Sequence, residues 1–435
     1  MSATVPLVGR HGRGRRAELP NDGRPSLTGD DLGRLVRERF PVLARTVHGH
    51  PLTYLDSAAT SLKPSAVIEA QADHYRAHDG SAHRGLHALA DEATEAYERT
   101  RLRVARWLGT GEPESVVYTR SATAALNLVA RGMEHRLRPG DEVVLTEMEH
   151  HANLVPWIQL AERAGIVLRH VPMTDDGQLD RTAAEQLIGP RTRILSLIHV
   201  SNVLGTVNPV AELSDRARRF GATVVVDAAQ SVGHLPVSLS ELGADLLVLS
   251  AHKCYGPAGL GFLVGRPAAL DELEPLEGGG QMIRQVFLDR ATYDQLPLRL
   301  EAGTPNAAAA AALAPALDLL EELGVEAVHA HEQRVTAYAW DRLAHLGGLR
   351  LLGPRDPSRR GSLVAFHDPL VHPHDMATIL DQRGVAVRAG HHCAQPLHRR
   401  LGLVATTRAS FAVYTTFADV DRLVDGIREA REVFA

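Results

Sequence analysis

Lysine is rare in this chain, so its two lysines are the first candidates for chemistry. Of the 47 lysines and arginines, only Lys63 and Lys253 are lysine. Arginine pairs with anions, but its pKa is too high for it to act as a neutral amine. Lys253 ends the apolar run DLLVLSAHK, beside one of the two cysteines, Cys254. A lysine kept at this place indicates amine chemistry; the alternative is an ordinary surface lysine.

A carboxylate ends the preceding apolar run, VVVDAAQ, where Asp227 is followed by Gln230. A carboxylate at a buried strand end needs a partner, because otherwise it protonates. A cationic ring nitrogen would be such a partner. An aspartate and, about 25 residues later, a lysine on a following strand suit pyridoxal phosphate (PLP). Asp227 would keep the pyridine nitrogen protonated, and Lys253 would form the Schiff base.

Two further turns carry polar side chains after predicted strands. The turn RSATAALNLVA follows VVYT and opens a helix. Its free N–H groups and hydroxyls could hold a phosphate, although a simple capping turn has the same sequence character. Glu149, His150 and His151 follow another strand. A histidine ring could stack on a flat cofactor, an ordinary loop histidine is the alternative, and no third ligand at diagnostic spacing indicates a metal.

The second cysteine, Cys393, lies in the loop RAGHHCAQP. Arg388, His391 and His392 surround it in sequence, and nearby positive charge favours the reactive thiolate. Gly390 and the histidines mark a polar loop, so a packed structural cysteine is a poor interpretation here. The sequence therefore predicts that Cys393 is a nucleophile, whereas Cys254, beside a strand end, is structural.

The elements that must position these residues form an α/β pattern. Six strands are predicted in the runs SVVYT, DEVVLTEMEH, RTRILSLIHV, ATVVVDAAQ, DLLVLSAHK and LGFLVG, with helices between them, for example over residues 92–108 and 124–137. Near-continuous apolar runs are typical of a parallel or mixed sheet covered on both faces. The pattern is doubly wound, and ligands bind such sheets at the carboxyl ends of the strands. A second, α+β domain follows from about residue 307.

The remaining features exclude several classes of protein. A net charge of −5 gives no electrostatic case for nucleic acid or an anionic membrane. Two cysteines are too few for a disulfide framework and favour a reducing, cytoplasmic location. No segment reads as a membrane span or a secretory signal. Residues 1–29 read as a disordered tail. A helix is expected in DDLGRLVRERF, with Asp30 or Asp31 as its N-cap.

With these residues in place, the chain resembles the fold-type I, class V aminotransferase-like PLP enzymes, and more narrowly the SUF-type (group II) cysteine desulfurases, which are close relatives of selenocysteine lyases. The motifs that carry the resemblance occur in order: YLDSAAT, AHRGLHALA, EHHANLVPW, HVSNVLGTVNPV, VDAAQSVGH, SAHKCYGPAGLG, GGGQMI, EAGTPN, RAGHHCAQPLH and TRASFAVYTT. The resemblance implies a large PLP-binding domain over residues 51–306 with a seven-stranded, mostly parallel sheet. It also implies a small α+β domain over residues 307–435, against which residues 30–50 pack.

The resemblance implies a role for each matching residue. It makes Lys253 the Schiff-base lysine, and Cys393 the cysteine that carries a persulfide. The implied cofactor contacts are Asp227 at the pyridine nitrogen, His151 stacked on the ring, Gln230 and Asn202 near the ring hydroxyl, and Thr123, Ser250 and His252 at the phosphate. Thr304 would reach the phosphate of a neighbouring subunit, which implies a homodimer. Arg408 would bind the substrate carboxylate, with Arg388 and His83 lining the same pocket.

The implied reaction converts L-cysteine to L-alanine. Lys253 removes the Cα proton, Cys393 attacks the substrate sulfur, and a histidine such as His151 carries protons. The resulting persulfide passes to an acceptor protein of Fe–S cluster assembly. Three alternatives stay open: a selenocysteine lyase acting on L-selenocysteine, another class V PLP lyase or epimerase, and a PLP-fold cargo or scaffold protein.

Overall fold

A computed structural model describes residues 29–435 of the protein. The tail predicted for residues 1–29 lies outside these residues, apart from Gly29. Within the described range, no helix is both long enough and apolar enough to cross a membrane.

Helices account for much of the described chain. The α-helices are α1 (Asp31–Val36), α2 (Ser65–Ala77), α3 (Ala88–Trp107), α4 (Ala122–Gly132), α5 (Val155–Ala164), α6 (Arg181–Leu187), α7 (Val210–Arg219), α8 (Pro267–Asp271), α9 (Ala307–Leu323), α10 (Val325–His345), α11 (Pro373–Gln382), α12 (Gln395–Leu401) and α13 (Phe417–Phe434). The helix predicted over residues 124–137 is shorter than expected, because a 3-10 turn over Glu134–Arg136 replaces its end.

The strands form one large sheet and several small ones. They are β1 (Thr46–Val47), β2 (His50–Pro51), β3 (Thr53–Tyr54), β4 (Val116–Thr119), β5 (Glu142–Thr146), β6 (Val167–Val171), β7 (Thr192–Ile198), β8 (Thr223–Asp227), β9 (Leu246–Ser250), β10 (Gly261–Gly265), β11 (Ile283–Val286), β12 (Ala291–Tyr293), β13 (Arg350–Leu351), β14 (Leu363–His367), β15 (Val385–Ala386), β16 (Arg388–Gly390) and β17 (Thr406–Ser410).

The large sheet has seven strands in the order β4-β10-β9-β8-β7-β5-β6. Only β10 runs antiparallel to its neighbours. The predicted α/β fold with a seven-stranded, mostly parallel sheet is thus confirmed. The six predicted strands are all present. The seventh, β6, is an edge strand with exposed Arg169 and His170, so it lacks the continuous apolar run by which the others were found.

Both faces of this sheet are covered by helices. Val224 and Val226 of β8 face one hydrophobic cluster, to which α3, α7 and α9 contribute. Val225 faces the opposite cluster, which α4 and α5 build around Trp157. Successive side chains of a strand point to opposite faces, so a strand buried on both sides must be apolar throughout. In β8 the polar residue Asp227 therefore lies at the carboxyl end of the strand, after the three valines that the helices cover.

The C-terminal part of the chain forms a second layered structure. The sheet β13-β14-β17-β16 packs with α10, α11 and α13 around its own hydrophobic cluster. The N-terminal segment joins this part: β3 pairs in parallel with β15, and Asp30 Oδ2 accepts a hydrogen bond from Phe417 N at 2.8 Å. Asp30 occupies the N-cap position of α1 but does not cap it with its side chain. The boundaries at residues 50/51 and 306/307 stay a prediction.

Asp419 is the buried residue that fastens the N-terminal segment to α13. Its Oδ2 accepts hydrogen bonds from Thr416 N (2.9 Å) and Oγ1 (2.8 Å) and pairs with Arg37 at 2.8 Å. We expect Asp419→Asn to lower the free energy of unfolding by about 2–3 kcal/mol, because it leaves buried donors without a charged acceptor. Urea unfolding measures this change.

The matched control is Asp425→Asn on the same helix, where the carboxylate is exposed and pairs only with Arg428. An exposed pair contributes about 0.5 kcal/mol or less. Equal losses in the two variants would contradict the role given to Asp419.

Candidate functional site

A cavity of about 230 Å³ lies at the carboxyl ends of the central strands. Ten of the thirteen predicted site residues line it: Thr123, Asn202, Asp227, Gln230, Ser250, His252, Lys253, Arg388, Cys393 and Arg408. They come from chain segments more than 280 residues apart in the sequence, between Thr123 and Arg408. The residues of the large sheet converge because the carboxyl ends of its parallel strands meet at one edge, whereas Arg388, Cys393 and Arg408 reach the cavity from β16, from the loop after β16 and from β17, respectively.

Lys253 stands in a 3-10 turn, Ala251–Lys253, that directly follows β9. Burial lowers the pKa of its amine to about 8, and the nearby Asp227 carboxylate opposes this effect. A neutral amine is therefore accessible near neutral pH, as nucleophilic and base chemistry requires. The carbonyl of Lys253 accepts a hydrogen bond from His234 Nε2 at 3.0 Å, and His234 Nδ1 contacts buried Glu332 of α10. The backbone of this lysine is thus held from the C-terminal part of the protein.

Asp227 ends β8 and is 3% exposed. Its Oδ1 accepts a hydrogen bond from Ala229 N at 3.0 Å. Burial raises the pKa of this carboxyl, while Lys253 acts in the opposite direction. A carboxylate in this position is stabilised by any further cation that enters the cavity, and a protonated pyridine nitrogen is such a cation.

The amino end of α4 forms another wall. Ser121 caps the helix, with its Oγ accepting from Ala124 N at 3.2 Å, and Ser250 Oγ accepts from Ala122 N at 2.8 Å. A Cβ on Gly261 of β10 would lie 2.5 Å from Ser121 Cα, so glycine is required for this close packing. Thr123 lines the cavity at the same helix end. Helix N-termini favour anions, and this wall suits a phosphate.

His150, not His151, lines the cavity. His150 N-caps the 3-10 turn His151–Asn153, and its Nδ1 accepts from Ala152 N at 3.0 Å. Burial, together with the charge of Lys253, lowers the pKa of His150 to about 3. The geometry therefore corrects the expectation for His151: the flat ring available to a cofactor is that of its neighbour. Two adjacent histidines point in different directions at a turn start, and the sequence does not indicate which one points inward.

His151 instead holds the loop of Cys393. Its backbone N donates to Cys393 O at 2.7 Å, and its Nε2 accepts from Gln395 N at 3.0 Å. His392 and Cys393 both have positive φ, 50° and 56°, which is uncommon for residues other than glycine. Asn202 Nδ2 adds a hydrogen bond to His392 O at 2.6 Å. These bonds keep an unfavourable backbone in place, and the exposed Cys393 thus stands at the rim of the cavity.

Two arginines, Arg388 and Arg408, bring positive charge to the cavity. Arg408 of β17 is 2% exposed, and its Nη1 donates to Asn202 O at 2.9 Å. Asp56 bridges both arginines, with Oδ1 3.1 Å from Arg408 Nη2 and Oδ2 3.3 Å from Arg388 Nη1. Arg408 Nε is buried and has no hydrogen-bond partner among residues 29–435. A buried guanidinium with an unused donor can bind a carboxylate.

Thr304 and His83 do not line this cavity. Thr304 lines a larger neighbouring cavity of about 720 Å³, which shares Ser121 and Thr123 with the first. His83 Nε2 contacts Glu98 at 2.8 Å, within a charged network around Arg101.

The roles of two acidic residues near the site, Glu149 and Asp56, were not predicted from the sequence. Glu149 is 2% exposed, and burial raises its pKa to about 8. It accepts from Thr146 Oγ1 (2.7 Å), Asn153 Nδ2 (2.6 Å) and Ile198 N (3.0 Å), and so holds the turn that carries His150. The sequence indicated Glu149 only as a conceivable metal ligand, and Asp56 was not singled out. Both are acidic residues after short runs, a signal shared by many ordinary loops.

The residues of the cavity fit PLP. The cavity offers an amine for its aldehyde, a carboxylate for its ring nitrogen and a helix end for its phosphate. Asn202 Oδ1 is buried without a hydrogen-bond partner, and Gln230 Nε2 is already bound to Ala58 O at 2.7 Å. An unpartnered buried acceptor is costly, and a hydroxyl on a bound ring would satisfy it.

Comparisons with known proteins agree with this description. Residues 53–423 match the family described as aminotransferase class-V. The chain is 46% identical over 400 residues to a probable cysteine desulfurase of Halalkalibacterium halodurans, covering 92% of this chain and 98% of the relative. It is also 46% identical over 415 residues to a cysteine desulfurase of Haloferax volcanii, covering 92% and 97%.

Solved structures show the same likeness. The apo structure of the cysteine desulfurase of Thermococcus onnurineus aligns with a TM-score of 0.87 at 37% identity, covering 92% of this chain and 98% of that one. The cysteine desulfurase CsdA of Escherichia coli aligns with a TM-score of 0.86 at 39% identity, covering 93% and 99%. The chain therefore belongs to the class V aminotransferase family of PLP enzymes.

Proposed function

We propose that the protein is a cysteine desulfurase that uses PLP to convert L-cysteine to L-alanine and leaves the sulfur on Cys393 as a persulfide. The observation that carries the proposal is the position of Cys393. It is exposed, yet it lines the same cavity as Lys253, Asp227 and Arg408. A PLP lyase or epimerase without persulfide chemistry has no need of a thiol there. The similarity to named cysteine desulfurases supports the same reaction.

Each side chain contributes a defined step. Arg408, with its buried unpartnered Nε, binds the substrate carboxylate and orients the amino acid. PLP, when bound, acts as the electron sink that makes the Cα proton acidic. Lys253 as a neutral amine takes that proton. Asp227 would keep the pyridine nitrogen of PLP protonated, and the neutral imidazole of His150 would be available to its ring.

The sulfur transfer is carried out by Cys393. Its thiolate attacks the substrate sulfur, the substrate C–S bond breaks, and the new S–S bond leaves a persulfide on the enzyme. The carbon skeleton takes up a proton and is released as alanine. Because Cys393 is exposed, an acceptor thiol can reach the outer sulfur, and we propose an acceptor protein of Fe–S cluster assembly. L-selenocysteine is the alternative substrate, since the same attack would apply to selenium.

We further propose that the enzyme is a cytoplasmic homodimer. Both cysteines are free, as in a reducing compartment. Thr304 lines a large cavity beside the phosphate wall instead of the cofactor cavity of its own chain. The adjoining hairpin β11–β12 carries exposed apolar residues, including Val286, Phe287 and Leu288. Apolar patches of this kind mark interaction sites.

The two cysteines provide a matched test of the nucleophile. We expect Cys393→Ser to keep the visible absorbance of bound PLP and to lose persulfide formation, with alanine production falling by about two orders of magnitude or more. Cys254→Ser is the control, because Cys254 is buried and burial raises the pKa of its thiol to about 12. Alanine and thiol-reactive persulfide are assayed after addition of L-cysteine. Alanine release by Cys393→Ser at the native rate would refute the assignment.

The proposed base predicts a pH dependence of cofactor uptake. Only a neutral amine attacks an aldehyde, so PLP binding to the cofactor-free protein should accelerate about tenfold per pH unit below pH 8 and level off above it. Asp227→Asn should move the midpoint to lower pH, because the carboxylate raises the pKa of Lys253. Stopped-flow absorbance between pH 6.5 and 9.5 (an interval of about three units) measures both. A rate that still rises above pH 10 would contradict the lowered pKa.

The dimer proposal is tested by charge introduction at the hairpin. Leu288 is fully exposed in the monomer, and Leu370, on a distant loop, is 61% exposed. We expect light scattering to give twice the chain mass of 47.1 kDa for the native protein and for Leu370→Asp, whereas Leu288→Asp dissociates. A native mass of one chain would refute the dimer.

A further inference from the structure

The second lysine of the chain, Lys63, lies beside the turn that carries the first. Its Nζ is 3.0 Å from the carbonyl oxygen of His252, the residue that directly precedes Lys253. Nζ also donates to Thr60 Oγ1 at 3.3 Å and to the carbonyl oxygen of Ser61. Lys63 does not line the cofactor cavity. Both lysines of the chain thus meet at one turn, although only Lys253 has a role in the proposed reaction.

The three acceptors around Nζ explain why this cation is not an arginine. An ammonium has three N–H donors around one atom, and here three oxygens converge on that atom. A guanidinium spreads its donors over three nitrogens in one plane, so no single nitrogen of an arginine could donate to all three oxygens. In a chain that uses arginine at nearly every other basic position, this geometry separates Lys63 from the rest.

The carbonyl of His252 receives an unusual number of donors. Besides Lys63, it lies within hydrogen-bond distance of Ser61 N (3.0 Å), Ser61 Oγ (3.1 Å) and Thr60 Oγ1 (3.1 Å). A carbonyl has two lone pairs, so these donors share it, and the charged one forms the strongest bond. Ser61 Oγ also accepts from Tyr255 N at 2.7 Å. The turn over residues 58–61 and the turn over residues 252–255 are therefore joined at this carbonyl.

Both turns that meet at the carbonyl of His252 contribute residues to the lining of the cavity. Ala58 and Ala59, at the start of the first turn, line the cavity, and Lys253 projects into it from the second. Cys254, which follows Lys253 in the second turn, is buried. A shift at the carbonyl of His252 would move the Cα of Lys253, and small displacements of a reacting group are expensive in rate.

We propose that Lys63 is a positioning residue: its ammonium fixes the carbonyl of His252 and so holds the backbone from which Lys253 reaches the cavity. The proposal rests on the proposed function of Lys253. It assigns Lys63 no contact with substrate or cofactor. Its distinguishing claim is that a tetrahedral ammonium is required and that another cation does not suffice.

The test depends on the fact that the chain has only two lysines, so that their NMR signals can be told apart. Full-length protein grown with lysine labelled with ¹³C at the ε carbon gives two lysine signals in its NMR spectrum, and loss of one signal in each Lys63 variant assigns them. The variants are Lys63→Met, which keeps the length without charge, and Lys63→Arg, which keeps the charge without the geometry. The control is Arg103→Met, which removes another largely buried cation, paired with Asp318 and Glu321 away from the cavity.

In the cofactor-free protein, we expect both Lys63 variants to raise the titration midpoint of the Lys253 signal by about one pH unit, because a loosened turn exposes the amine to water. With PLP bound, we expect kcat to fall about tenfold to a hundredfold, with less than about a threefold change in KM. Arg103→Met should leave the Lys253 signal and kcat unchanged, even where it lowers the melting temperature.

Three outcomes would overturn the proposal: an unchanged Lys253 signal in Lys63→Met, native behaviour of Lys63→Arg, or an equal shift in Arg103→Met. The NMR result does not depend on turnover. A protein that makes no alanine but shows the shift would refute the desulfurase reaction and keep the positioning role, so the two failures are distinguishable.

Discussion

The central constraint of this structure is the burial of two opposite charges at neighbouring strand ends. Asp227 ends β8 and is buried, and Lys253 follows β9 and is partly buried. Burial alone drives each toward its neutral form, raising the pKa of the carboxyl and lowering that of the amine. Each charge also favours the other. Their protonation is therefore sensitive to whatever third charge enters the cavity, as a cofactor site requires.

Such a pair is stable only if the backbone around it is held firmly. The bonds that do this come from distant segments: Lys63 at the carbonyl of His252, and His234, backed by Glu332, at the carbonyl of Lys253. Glu332 belongs to α10, outside the central sheet. The reactive amine is thus located by both parts of the protein at once, and the packing of the C-terminal part contributes directly to the geometry of the site.

The sequence predicted the sheet well, for a definite physical reason. A strand buried on both faces must be apolar, and its first polar residue marks the edge where ligands bind. This reasoning points to Asp227 at the end of β8 and to Ser250 at the end of β9, three residues before Lys253. The direction in which a side chain points from a turn cannot be predicted in this way. His150 and not His151 lines the cavity, because a 3-10 turn starts between them. No residue type in the sequence indicates where that turn starts. The edge strand β6 was missed because half of it faces water.

Apart from Lys253, the positive charge of the site comes from arginine and not from histidine. Burial lowers the pKa of His150 to about 3, of His252 to about 4 and of His392 to about 2, so all three rings remain neutral there. The fixed charges are then Arg408 and Arg388, and Asp56 bridges them. One carboxylate against two guanidinium groups leaves one positive charge unmatched. The single α-carboxylate of a substrate would neutralise this remaining positive charge. A second acidic group on the substrate would have no free guanidinium to pair with and would be repelled by Asp56.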